Sequence, residues 1–101
     1  MRNGGYGGVT TPLTAATISG TAQVGQTLTA SSTPSEATVT YQWKVADTAT
    51  GAYSPISGAT GKTHKLAADK LGKFIKVELT GQNGYTGVLL SDPTTAVIAS
   101  A

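Results

Sequence analysis

The side chains able to do chemistry are few and far apart. His64 is the single histidine, and the carboxylates are Glu36, Asp47, Asp69, Glu78 and Asp92. A metal site would need His64 together with several of these acids, yet no ligand spacing joins them. Cysteine is absent, so a thiolate zinc site is excluded. Calcium needs several oxygens converging from a short segment, and no five-residue window holds two acids. Glycoside hydrolysis requires paired carboxylates in a cleft, which five scattered acids do not supply. Serines abound, but no Gly-x-Ser-x-Gly elbow sets one up as a nucleophile. The expectation is no catalytic residue, no metal ligand, no cofactor and no enzyme activity.

Two other uses of side chains remain. Aromatic rings can form a sugar-stacking platform, and Tyr53 and Tyr85 lie in or beside loops where a ligand could reach them. Trp43, the only tryptophan, alternates in phase with Tyr41 and is expected inside. His64 shares a face with Leu66, so a partly buried packing role is expected for it. Titration near neutral pH follows if it is buried. Asp69 is expected to cap a short helix or hydrogen-bond a turn.

Charge argues against several partners. The net charge is +2, and charged residues make up 12% of the chain, against about 25% in typical domains. The basic residues are scattered, and phosphate-backbone binding needs a clustered basic face, so no nucleic acid is expected. The weak basic strip from Lys62 to Lys76 reads as a solvated sheet edge. No stretch approaches the ~20 apolar residues of a spanning helix, so no membrane insertion is expected. Met1-Arg2-Asn3 runs into glycines rather than an apolar core, unlike a secretory leader.

The elements that would position these groups follow a period of two. Val39, Tyr41, Trp43 and Val45 alternate with Thr38, Thr40, Gln42 and Lys44; Ile75, Val77 and Leu79 alternate with Lys76, Glu78 and Thr80. Such alternation marks half-buried antiparallel strands, here Thr38–Val45 and Lys73–Gly81. Shorter strands are expected at Ala15–Ser19, Thr27–Ser31 and Thr63–Ala67, and over Gly87–Ser91 with Thr95–Ala99, interrupted at Asp92-Pro93. Asn83-Gly84 predicts a tight turn joining the last two strands. Leu66–Gly72 predicts one short helical turn, ended by Gly72. Residues 1–12, rich in glycine, read as a flexible lead; residues 13–101 read as one folded domain. About seven short strands with frequent turns point to an all-β sandwich. Its core is expected from Trp43, Tyr41, Val39, Leu28, Leu66, Leu71, Ile75, Val77 and Leu79. The odd-numbered side chains of the two long strands are expected to meet across two facing sheets.

Five segments, in order, carry a resemblance. They are Ile18–Ala30 (ISGTAQVGQTLTA), Val39-Thr40-Tyr41-Gln42-Trp43, Ile56-Ser57-Gly58-Ala59-Thr60, Leu66–Val77 and Asn83-Gly84-Tyr85-Thr86-Gly87. Over residues 15–98 the chain resembles the bacterial immunoglobulin-like repeats of cell-surface and S-layer-associated proteins. His64 departs from the tyrosine common in that family, and residues 1–12 have no counterpart. The resemblance implies an immunoglobulin-like, Greek-key antiparallel sandwich without the disulfide. It implies a non-catalytic spacer or adhesion module, extracellular and wall-associated, strung with neighbouring immunoglobulin-like domains and meeting a host or cell-wall protein or glycan. Two other readings stay open: a carbohydrate-binding surface module using Tyr53 or Tyr85, and a phage virion decoration or tail domain.

Overall fold

The computed structural model describes residues 10–100. The flexible lead expected over 1–12 falls mostly outside them. Its last two residues are paired: β1 (Thr11–Pro12) runs parallel to β8 (Tyr85–Thr86), so pairing starts just before the expected domain boundary.

The chain is an all-β sandwich. One sheet has the order β2 (Ala15–Ser19), β3 (Thr27–Thr33), β6 (Thr63–Lys65). The other has the order β5 (Ser54–Pro55), β4 (Val39–Ala46), β7 (Phe74–Gly81), β9 (Val88–Leu90). Both are antiparallel throughout. Parallel contacts occur where the two ends of the chain meet the sandwich, at β1–β8 and at a bridge between Gln23 and Ile98.

The period-two alternation does what it promises. Ile75, Val77 and Leu79 are fully buried, while Lys76, Glu78 and Thr80 between them are not. Trp43 is 0% exposed and lies directly opposite Val77. This corrects one expectation. The two long strands do not face each other across the sandwich; they are neighbours in one sheet, and their inward residues form one wall. The facing wall comes from Leu28 and Ala30 of β3 and from Leu66, with Ile18 of β2 packed alongside. Alternation reports which side of a strand is buried, not which strand lies beside it.

Two further expectations are corrected near the one helical turn among the described residues. Ala68–Lys70 is a short 3₁₀ turn. Leu71, expected in the core, is 53% exposed. Gly72 follows it in a left-handed conformation (φ 78°) and donates its N–H to Val97 O at 2.8 Å. That reversal swings Leu71 outward, and Leu66 fills the interior instead. Asp69 is not a cap. Ala67 occupies the cap position with no side-chain bond, and the Asp69 carboxylate accepts from Lys70 Nζ at 3.0 Å in solvent.

The expected turn at Asn83-Gly84 is present. Both residues have positive φ (53° and 93°), and Tyr85 N–H donates to Gln82 O. The hairpin is wider than a two-residue link. Gly81 N–H donates to Gly87 O at 2.9 Å before β9 pairs with β7, and the intervening β8 turns aside to meet β1.

Candidate functional site

Tyr53 follows the loop that links β4 to β5. Its hydroxyl donates to Ala49 O at 2.8 Å, and the Lys76 ammonium sits 4.6 Å from the ring centroid. One ring face is therefore occupied by a cation, and partial burial holds the phenol above its ordinary pKa. Tyr85 lies in β8 and packs against the hydrophobic core. The two tyrosines belong to opposite poles. Tyr53 adjoins Ser54, paired with Val45, which pairs with Ile75; Tyr85 adjoins the far end of β7 at Gly81. The length of β4 between those registers is roughly 20 Å at ~3.4 Å per residue. The fold does not bring Tyr53 and Tyr85 together on one platform.

His64 lies on β6, opposite Leu28, and its ring stacks on Trp43 with centroids 5.7 Å apart and planes 27° from parallel. Desolvation, helped by the positive charge of Lys70, pulls its pKa below the usual histidine value. Among the described residues, no carboxylate forms an ion pair with it. The acids are dispersed instead. Among the described residues, Glu78 pairs with Lys44 on the outer face of the four-stranded sheet, Asp69 with Lys70, and Asp47 with Lys73. The Lys73 hydrogen bond and charge hold the Asp47 carboxyl below its ordinary pKa. No group of three or more His, Asp or Glu converges among the described residues.

Polar side chains with a clear task lie elsewhere, and the sequence pattern does not single them out. Gln42, on the outward face of β4, directs its Nε2 at the carbonyls of Trp43, Ile56 and Ala59 at 2.9, 3.0 and 3.3 Å. Ser91 is 3% exposed, and its Oγ accepts the Val77 N–H at 3.0 Å. Thr94 Oγ1 accepts the Ile75 N–H at 3.2 Å. These two hydroxyls stand where strand carbonyls would be if the ladder ran on past Asp92-Pro93.

A concavity lies beside that interrupted segment. A cleft of about 330 Å³ opens between β2 and residues 92–95, lined by Ala16, Ile18, Ala22, Asp92, Pro93 and Thr94 among others. Its lining mixes apolar and hydroxyl side chains, and Asp92 is its one charged residue. No model of a known protein family matches the chain, and no curated protein matches it.

Proposed function

We propose that the chain is an immunoglobulin-like, non-catalytic module of an extracellular bacterial surface protein, acting as a spacer and protein-interaction unit strung in series with similar domains. The strand order supports the immunoglobulin-like reading. A three-stranded sheet covers a four-stranded one, with a tryptophan on the central β4 and the chain's two ends closing the sandwich in parallel.

One observation carries the spacer role. Thr11 N–H donates to Gly84 O at one pole, beyond Gly81 at the end of β7. Val97 N–H donates to Lys73 O at the other, just before Phe74 begins that strand. The chain enters at one end of β7 and leaves at the other, about 27 Å away along its eight residues at ~3.4 Å each. Modules joined head to tail through such ends extend rather than fold back. A load applied between them falls on lateral backbone bonds. Val24 N–H donates to Ile98 O and Ile98 N–H to Ala22 O, tying the N-terminal segment to the C-terminal one.

Solution scattering from three copies joined head to tail through residues 1–12 tests the spacer role. The maximum dimension is expected to grow by roughly 30 Å or more per added copy, the length of one sandwich along its strands. A particle that thickens without lengthening would exclude it.

A further inference from the structure

The outer edge of the four-stranded sheet beyond β7 is closed at two points and bare between them. At one pole Leu13 N–H donates to Thr86 O at 2.8 Å; at the other, Val24 N–H donates to Ile98 O and Ile98 N–H to Ala22 O across the bridge at Gln23. Between these closures the N-terminal chain departs to the opposite sheet, where β2 pairs with β3. The register shows what is left uncovered. Gly81 N–H donates to Gly87 O and Ser91 N–H to Val77 O, so the odd-numbered residues of β9 address β7. In an antiparallel ladder the alternate residues then point their N–H and C=O groups away. Those residues are Val88 and Leu90, and no described residue bonds to their backbone groups.

Two other edges, β5 and β6, are defended. β5 ends on Pro55, which has no N–H to offer, and exposed lysines stand just before β6 (Lys62) and at its last position (Lys65). β9 carries no charge, and its outward side chains Val88 and Leu90 are 59% and 44% exposed.

We propose that this bare edge binds an extended segment of a partner protein by antiparallel strand addition. Outward donors and acceptors on every second residue are matched by an extended backbone and by no other shape. The exposed Val88 and Leu90 call for apolar side chains directly opposite them. Asp92, without an ion-pair partner among the described residues, places a basic residue at the N-terminal end of the bound segment, where it runs into the cleft beside Ala16 and Ile18. A second copy offers Asp92 no basic partner, whether the two-fold axis falls at Val88, Leu89 or Leu90. Two β9 strands paired about a two-fold axis at Leu89 would set Asp92 of each against Thr86 of the other, whose carbonyl is already bonded to Leu13. This names the partner chemistry for the interaction half of the proposed function, and it stands or falls apart from the spacing role read by scattering.

The probe is an N-acetylated peptide, Lys-Ala-Val-Ile-Val-Thr, with a fluorescent tag at its C-terminus, followed by anisotropy. It sets its lysine against Asp92 and its two valines against Leu90 and Val88. Saturable binding with a Kd below about 1 mM is expected. N-methylation of both valines should abolish it, because their N–H groups are the donors to the sheet edge. N-methylation of the alanine and isoleucine, whose N–H groups face away, should leave it intact. Leu90→Pro removes an outward N–H without touching the β7 ladder; it should abolish binding, with a thermal melt reporting that the variant is folded. Asp92→Asn should weaken binding about threefold, the scale of an exposed ion pair. Absence of binding up to that concentration, or equal loss from both methylation patterns, would overturn the proposal. So would sedimentation showing the free protein to be a dimer that Leu90→Pro dissociates, since a second copy would then own the edge.

Discussion

The four-stranded sheet is finished differently along its two flanks. Beyond β4, the edge is sealed by the loop that follows β5. Trp43 N–H donates to Ala59 O, Ile56 N–H donates to Trp43 O, and the indole Nε1–H reaches Gly61 O at 2.8 Å. Gln42 adds its amide to the Trp43 and Ala59 carbonyls and to that of Ile56. One large ring and one long amide thus tie a whole loop to the core. Beyond β7, the C-terminal segment is interrupted at Pro93, and two small hydroxyls stand in for missing carbonyls. The comparison shows two solutions to the same requirement, that buried backbone groups find partners. The first leaves only the two-residue, proline-ended β5 at the edge; the second leaves one open beside a cleft.

The sharpest way to break the comparison is to remove the ring. Trp43→Ala should cost about 3–5 kcal/mol, as large aromatic truncations in cores do, read as a fall in the chemical denaturation midpoint. Trp43→Phe should recover most of that loss, because it restores apolar volume and forfeits the bond to Gly61. If both substitutions cost the same, the indole N–H and not the packing would hold the loop.

A test of comparable kind lies where β7 gives way to the hairpin. A Cβ on Gly81 would sit 2.5 Å from Tyr85 O and 2.8 Å from Thr86 N, atoms of the backbone that β1 is paired with. Gly81→Ala should cost about 2 kcal/mol, the usual scale of overpacking, and should loosen β1 from β8. Faster amide exchange at Leu13, whose N–H bonds to Thr86 O, would report that loosening directly.

On the β7 flank the expected effect is smaller. Ser91→Ala leaves the Val77 N–H buried without its acceptor, a loss of about 1–3 kcal/mol. Ser91→Thr keeps the hydroxyl and should retain much of the stability. Amide exchange at Val77 should rise in the alanine variant and stay slow in the threonine one. Equal protection of Val77 in both would mean that another acceptor replaces Ser91 Oγ.

Much of this architecture is legible in the residues themselves. β2 occupies Ala15–Ser19 as the pattern predicts, and β4 and β7 fall within one residue of their expected bounds. Asn83-Gly84 makes its turn. Local alternation and local turn chemistry suffice for those features. What the pattern misreads depends on contacts distant in sequence. Leu71 looks apolar and in phase, but the reversal at Gly72 is fixed by Val97. The tyrosines can be assigned to loops, whereas their separation to opposite poles follows only from the register of β4 on β7. Gln42, Ser91 and Thr94 read as ordinary solvent-side polar residues until the carbonyls and N–H groups they serve are in place. The cleft arises where the chain's two ends part from each other, which no single segment encodes.

The smallest expected effect links the Trp43 flank to pH. His64 stacks on the indole from the opposite sheet, and desolvation with the nearby Lys70 charge lowers its pKa below the ordinary 6.5. The unfolded chain therefore binds a proton more readily than the folded one. Stability contributed by neutral His64 is complete above about pH 6.5 and is lost as pH falls from there toward the lower folded value, with no further loss below it. Asp47, whose pKa is lowered from 3.8 by Lys73, acts in a separate window at lower pH. Denaturation midpoints compared at pH 7.5 and pH 5 should thus fall in the native chain. In His64→Tyr, which keeps an aromatic ring against Trp43 and cannot take up that proton, the difference should vanish. A fall of equal size in both proteins would remove His64 as its source and leave the stack as packing alone.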